Sequence, residues 1–470
     1  MTKTNYLQPT KKQVLFENIL KWLTFAVAVI HICVSIMKYP FPAVANEVLI
    51  VEKWGTVSII ALCFGYFIYS AFFCSACFRR IRDFIKGLMK PEMVWLCLFF
   101  VWFLICTKST DARYASNFFA YNENFLYNVF FDLVVLFPFI YYFGSRDNKV
   151  SAVELLTHIL IAILTISMIW VIWNMFIPRV IYLPGGGQIG FDMGYRLCIN
   201  CNPNTTGAYA EILFLLSVIM MLKKRGIVRA LYCIAAVVHY LILSFSNSRA
   251  CVLGAAAACA AIGFKVVFDS MHNGTKVKKL TISACTAVIV ALILFYLREL
   301  VFIFHNAVSH FAEIAGISLE DGNAARDLSG DLTGSGRVQI WICALKAIFA
   351  STRNFFVGVT PAGVVNELVN FGSQPNLYTH NQFLEVAVAM GIPGLVLYVG
   401  WLYCIARKSV QIAGDRITLP GYRGYLLPTV LLMLIVSNMF EAILIYYGFL
   451  CESVFFIVAG YIAYAARRRS

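Results

Sequence analysis

Three short polar stretches stand out for the chemistry their residue types allow: Ser246-Asn247-Ser248-Arg249, Gly336-Arg337, and Thr379-His380-Asn381-Gln382-Phe383-Leu384 with Gly391 beyond it. An imidazole titrates near neutrality and suits the removal of a hydroxyl proton. A guanidinium stays charged and holds phosphate oxygens in a two-pronged fork. One histidine with several arginines is thus equipment for deprotonating an acceptor while an anionic group is held. Each stretch is embedded in, or lies between, segments so apolar that they must cross a membrane. The chemistry expected is chemistry at a membrane surface.

The elements that must position these groups are helices in lipid. Of the 470 residues 60% are hydrophobic and only 13% charged, too little charge for a soluble domain of this length. Apolar runs of about 17 to 25 residues recur, the length that spans a bilayer as helix. Runs and breaks predict twelve spans, near 18–37, 54–78, 91–107, 122–143, 151–177, 203–222, 227–245, 250–269, 280–297, 392–406, 424–440 and 443–466. The fold class expected is all-α: a polytopic integral membrane protein with a long outer loop between spans nine and ten that carries short surface helices. With a cytoplasmic amino terminus, about 26 of the 38 Lys and Arg residues fall inside and about 12 outside, so the positive-inside rule places both termini in the cytoplasm. The net charge of +14 is then explained by cytoplasmic basic loops facing anionic lipid, and no nucleic acid is called for.

Fifteen cysteines lie mostly in spans, where a thiol acts as a small hydrophobe. Cys74 with Cys77 and Cys198 with Cys201 have C-x-x-C spacing, but no second pair or histidine cluster completes a zinc site, so no metal is expected. Oxidation of the outer pair stays open.

Two outer segments are rich in turn residues. Residues 178–202 hold Gly185-Gly186-Gly187, Asp192 and Gly194-Tyr195-Arg196, followed by Asn202-Pro203-Asn204, where Pro203 suits the first turn of a helix. Residues 298–391 are too many for a plain connection and should carry helices of their own. Within them Arg337 to Ile348 has helical apolar spacing, predicting an amphipathic helix along the membrane surface with Arg337 at its start and Trp341 at the interface. Gly391-Ile392-Pro393-Gly394 should break or kink the chain before the tenth span.

Spacing alone leaves simpler readings of these residues open. Arg249 has the position of a snorkelling helix-end arginine, Arg337 that of a solvated helix-start residue, and His380 that of a hydrogen-bonded interface histidine. An arginine at a helix amino terminus does oppose the dipole and asks for an anionic partner. Asp132, Glu211, His239 and Glu452 inside predicted spans, and Glu441 between the last two, are ionisable groups that cost at least a few kcal/mol each at membrane depth and are functional candidates by default, while several lie close to a predicted outer end, where structural pairing is an equal reading.

Together these residues resemble the O-antigen ligase and polymerase superfamily of membrane glycosyltransferases. Arg249-Ala250-Cys251-Val252-Leu253 is similar to the family's Arg-x3-Leu pattern, and His380 followed by ten residues and Gly391 to its His-x10-Gly pattern. Ser335-Gly336-Arg337 with Trp341, and Arg196 with Pro203-Asn204, also look like family features. The resemblance is strongest over about 190–405, and it divides the chain into N-terminal membrane helices (1–177), a catalytic region (178–406) and C-terminal membrane helices (407–470). It implies a metal-independent, cofactor-free glycosyltransferase of surface polysaccharide biosynthesis in the bacterial cytoplasmic membrane, with its active site on the outer face. The donor would be a glycan on undecaprenyl pyrophosphate; the acceptor would be another glycan or a lipid-linked molecule. By the same resemblance Arg249 and Arg337 hold the pyrophosphate, Arg196 assists, and His380 is the base. Asn204, Glu211 and Asn381 are possible supporting residues. His-x10-Gly leans toward the ligase, which moves a finished chain, but the polymerase, which lengthens one, shares the motifs. A lipid-linked oligosaccharide flippase or polysaccharide transporter is the alternative class; it would favour paired broken helices in two matching halves, whereas one clear break is found.

Overall fold

The computed structural model describes residues 11–37, 42–73, 86–87, 89–108, 129–132, 137, 161, 165, 181–182, 188–192, 196–198, 203–271, 273–314, 336–374, 378–413, 424–445 and 450–467. Lipid offers the backbone no hydrogen-bond partners, so apolar runs of this length close their bonds internally as helix. The long helices are α1 (Lys11–Met37), α2 (Pro42–Phe73), α3 (Pro91–Lys108), α4 (Pro203–Lys223), α5 (Gly226–Phe245), α6 (Arg249–Ser270) and α7 (Lys276–Ile314). Short helices α8 (Arg337–Phe349), α9 (Thr352–Phe356) and α10 (Val364–Asn370) follow, then α11 (Gln382–Ala413), α12 (Leu426–Asn438) and α13 (Leu450–Arg467).

Six helical stretches among the described residues are long and apolar enough to cross a membrane: Glu47–Gly65, Pro203–Lys223, Gly226–Phe245, Arg249–Ser270, Lys276–Val301 and Gln382–Ala413. Shorter apolar helices lie at Trp22–Val34, Pro91–Thr107, Leu426–Asn438 and Leu450–Ala466. Most of the expected spans 122–143 and 151–177, and the pair Cys74 and Cys77, fall outside the described residues. Helix α7 turns Val288, Ile289, Leu292, Ile293, Tyr296 and Leu300 outward, an apolar face that suits hydrocarbon and not water. By contrast α4 is buried over most of its length.

The structure departs from the sequence reading in four places. The expected all-α fold also contains a small antiparallel sheet, β1 (Ile181–Tyr182), β2 (Gln188–Asp192) and β3 (Arg196–Cys198), in that order. Its β-branched and aromatic residues alternate with glycine-bearing connections, a hairpin signal. Helix α7 runs on to Ile314, because Arg298-Glu299 interrupts the apolar run without any glycine or proline to stop the helix. Helix α2 begins at Pro42, so Glu52, expected ahead of the second span, lies inside it and is fully buried. Residues 441–445 are not helical, and α13 begins only at Leu450.

The break expected at Gly391 is present and its backbone accounting is complete. Gly391 has φ 69° and ψ 179° inside α11, which frees the carbonyls just before it. Val359 N–H donates to the Val388 carbonyl at 3.0 Å and Thr360 N–H to that of Ala389 at 2.8 Å. The Trp102 indole of α3 donates to the Met390 carbonyl at 2.9 Å. The chain leaving α9 therefore crosses the kink in backbone contact, which needs glycine on both sides. A Cβ on Gly358 would stand 2.5 Å from the Ala389 carbonyl, and one on Gly391 would stand 2.5 Å from that of Phe356.

Away from this region a second polar group is buried. His31 Nδ1 lies 2.7 Å from Glu52 Oε1, His31 Nε2 lies 3.9 Å from Asp132, and Glu452 lies beside Asp132. All four are 2% exposed or less, and they join α1 and α2 to α13. Buried charges need such partners.

Candidate active site

Glu441 is the hub of the site. Its Oε1 accepts from Arg337 Nη2 at 2.6 Å, and its Oε2 lies 3.0 Å from His380 Nδ1 and 3.5 Å from the Tyr378 hydroxyl. The carboxylate is 1% exposed, while the arginine and histidine are 17% and 14% exposed and so stay partly accessible. The Tyr378 ring packs on the imidazole with centroids 4.3 Å apart.

Arg337 and His380 arrive on separate elements. Arg337 opens α8 after Gly336, whose φ of 78° suits glycine. Trp341, one turn on and on the same face, donates its indole N–H to the Thr379 carbonyl at 3.0 Å. So the tryptophan is tied to the histidine segment and its ring lies near Phe440, which goes beyond the interface anchor expected of it. Along α8, Ile340, Cys343, Ala344, Ala347 and Ile348 are buried.

His380 itself has φ 49°, in the left-handed region, where a side chain costs about 1–2 kcal/mol. Its neighbours hold it there. Thr379 donates both its N–H and its hydroxyl to Glu385 Oε2, at 3.0 and 2.7 Å. Asn381 Oδ1 accepts from the backbone N–H groups of Phe383 and Leu384, capping α11. Asn381 Nδ2 donates to the Met439 carbonyl at 2.9 Å, tying the cap to the segment that carries Glu441. Gln382 Oε1 takes the Leu444 N–H, and Asn438 Oδ1 takes that of Ile443. The stretch after α12 is therefore held in an irregular path by side chains on both flanks, and this is why it is not helix.

A second group forms around the turn between α5 and α6. Arg196, first in β3, donates from Nε to the Ser246 carbonyl at 3.0 Å and from Nη2 to Asn204 Oδ1 at 2.5 Å. Gly207 lets α4 approach that turn: a Cβ there would lie 2.6 Å from Ser248. Asn247, at φ 52°, accepts from the buried guanidinium of Arg298, which also pairs with Glu299 at 2.6 Å. Arg249 emerges from this turn exposed, with no hydrogen-bond or ion-pair partner among the described residues.

Helices α6 and α12 bring the two groups to one end of the bundle. Gly254 of α6 meets Met433 and Ser437 of α12, and Glu211 of α4 fills the same crossing, accepting from the Ser437 hydroxyl at 2.9 Å. Arg249 lies five residues before Gly254 and Glu441 four after Ser437, and Cys251 lies within electrostatic reach of Glu441. Arg337 and His380 are thus joined directly through Glu441. Arg249 is at the same end without touching either. Arg196 and Asn204 brace the turn that presents it, Asn381 is a helix cap, and Glu211 packs beneath.

Sequence reasoning named Glu441 only among ionisable groups at membrane depth and passed over Arg298 and Tyr378. A lone carboxylate between two apolar segments, three residues past Asn438, was the available signal. Arg298-Glu299 inside an apolar run was the other. Cys198 is buried, and Cys201 lies outside the described residues. Among the described residues no three His, Cys, Asp or Glu side chains group to hold a metal ion.

Comparison with known proteins covers part of this region, without Glu441, Arg196, Asn204 or Glu211. Residues 212–399 match the family model described as O-antigen ligase, a stretch that contains Arg249, Arg337 and His380. No curated protein matches the chain. The match, with helices apolar enough to cross a membrane, supports an integral membrane, glycosyltransferase-like enzyme of polysaccharide biosynthesis, and the family implies a lipid-linked glycan donor and an acceptor. Over residues 212–399 the chain is thus similar to the O-antigen ligase family, and the match supports the O-antigen ligase superfamily.

Proposed function

We propose that this enzyme moves a glycan from undecaprenyl pyrophosphate onto an acceptor hydroxyl at the outer face of the cytoplasmic membrane, without a metal, as a ligase or a polymerase. The observation that carries the reading is the pairing of His380 and Arg337, 43 positions apart in the sequence, on the two oxygens of Glu441. A base and a phosphate-holding cation can serve one reaction only if both reach the same substrate.

In this reading His380 Nε2 takes the acceptor proton as the hydroxyl oxygen attacks the anomeric carbon. The bond from that carbon to the pyrophosphate oxygen breaks, and undecaprenyl pyrophosphate leaves with the electron pair. The negative charge that gathers on the leaving group is what Arg337 and Arg249 neutralise, permanently charged forks doing the work a divalent cation does elsewhere. Arg249 is free to turn toward the donor. Arg196 assists by holding the Ser246 to Arg249 turn, with Asn204 as its second anchor. Helices α8 to α10 would lie over the site, on the side where positive-inside topology puts residues 298–391. The working region then reaches past residue 406 to include Glu441.

The test is the glycan of a deletion strain. Single repeat units accumulating on the lipid carrier mark a polymerase, and full-length polymer accumulating there marks a ligase. Surface glycan unchanged in both length and attachment would overturn the proposal.

A further inference from the structure

We infer that Glu441 is a positioning residue that couples donor binding to the base, a role that rests on the glycosyl-transfer reading above. An ionised carboxylate can only accept hydrogen bonds, so the imidazole nitrogen facing it, Nδ1, carries the proton. That fixes the tautomer in which Nε2 has the free electron pair and is turned away from Glu441. When Nε2 takes the acceptor proton, the imidazolium formed faces the carboxylate through Nδ1–H, where its charge is compensated.

The same carboxylate is also bound to Arg337 at 2.6 Å. A donor pyrophosphate competes for that guanidinium. With the ligand absent, Glu441 divides its charge between Arg337 and the imidazole; once pyrophosphate engages Arg337, the carboxylate is left to His380. The base is therefore strongest when the donor is in place, which disfavours idle proton uptake in the empty site. Among the described residues, the charged and titratable groups around the imidazole are Arg337 from α8, Tyr378 from its own segment, and Glu441 from the stretch after α12. Glu385 is engaged by Thr379. Glu211 and Cys251 lie within electrostatic reach of Glu441.

The experiment is a steady-state comparison of wild type and Glu441→Gln, using membranes that hold the cell's own lipid-linked glycan donor, across pH. The amide offers a donor to Nδ1 and so favours the wrong tautomer. Its neutral oxygen also releases Arg337. Expected are a kcat at least about 100-fold lower, a donor KM unchanged or reduced, and an acid limb displaced to lower pH, because an imidazole without its carboxylate is a weaker base. A structural role alone would lower the amount of active enzyme and leave both the limb and the donor KM where they were, which would overturn the inference. If the amide variant fails to accumulate, Glu441→Asp is used: one methylene shorter, it reaches one partner and not both, so either the limb or the donor KM must move. His380→Ala separates the two claims. An active His380→Ala defeats the glycosyl-transfer assignment of the base, whereas an inactive one beside an Glu441→Gln enzyme of wild-type kcat, KM and pH profile defeats only the coupling.

Discussion

Replacing Gly391 with alanine tests the claim that the His-x10-Gly spacing is a folding requirement of the site. At φ 69° and ψ 179° the backbone is in a region open essentially to glycine, and a side chain there costs about 1–3 kcal/mol. The new Cβ would also stand 2.5 Å from the Phe356 carbonyl carbon and 2.6 Å from the carbonyl oxygens of Phe355 and Phe356. These are backbone atoms that cannot rotate away, and overpacking of this kind adds about 1–3 kcal/mol. The total is roughly 2–6 kcal/mol. Gly226→Ala is the matched control: φ is +60° but nothing lies within 4 Å of the added carbon, so only the left-handed cost of about 1–2 kcal/mol applies. The assay is the thermal midpoint of each protein purified in detergent, with glycan transfer measured in cells. Gly391→Ala should fall well below Gly226→Ala in midpoint and should lose transfer, because α9 and the start of α11 must separate. Equal midpoints for the two variants would refute the reasoning.

Trp102→Phe removes the indole N–H from the Met390 carbonyl and should cost about 1 kcal/mol, read as a lower midpoint with the protein still inserted; an unchanged midpoint would mean that the kink does not depend on α3. Asn381→Ala should cost about 1 kcal/mol through the lost cap and should also lower turnover, since the tie to Met439 that aligns Glu441 goes with it. Normal turnover in that variant would show that the Glu441 stretch is held without it. Arg249→Lys should lower transfer strongly while leaving the thermal midpoint near wild type, because the exposed guanidinium makes no bond that the fold needs and an ammonium lacks its fork. A lysine variant of normal activity would remove Arg249 from pyrophosphate binding.

What the sequence made legible follows from which physical signals are local. Apolar length identified the helices, and the helix breakers Gly391-Ile392-Pro393-Gly394 announced the kink. Arg249, Arg337 and His380 were visible as polar residue types in an apolar chain, sharpened by a family resemblance. Glu441 was not legible as their partner, since nothing local says that the residue after α12 reaches α8 and the start of α11. Its position depends on Asn381, Gln382 and Asn438 together fixing residues 439–444. The same holds for His31 and Glu52: hydropathy left Glu52 outside the second span because a charged residue lowers the window average, whereas in the fold its histidine partner 21 positions earlier makes burial acceptable. The three-stranded sheet was hidden by its brevity, strands of two to five residues being weaker signals than the glycines between them.

The central claim is that His380 removes the acceptor proton while the fold needs only its backbone. The most direct measurement is glycan transfer by a strain carrying His380→Ala at the native locus, with the amount of protein in the membrane and the lipid-linked glycan quantified in the same cells. Expected are normal membrane protein, no transfer, and donor accumulating on undecaprenyl pyrophosphate; normal transfer by protein that lacks the imidazole would rule out His380 as the base.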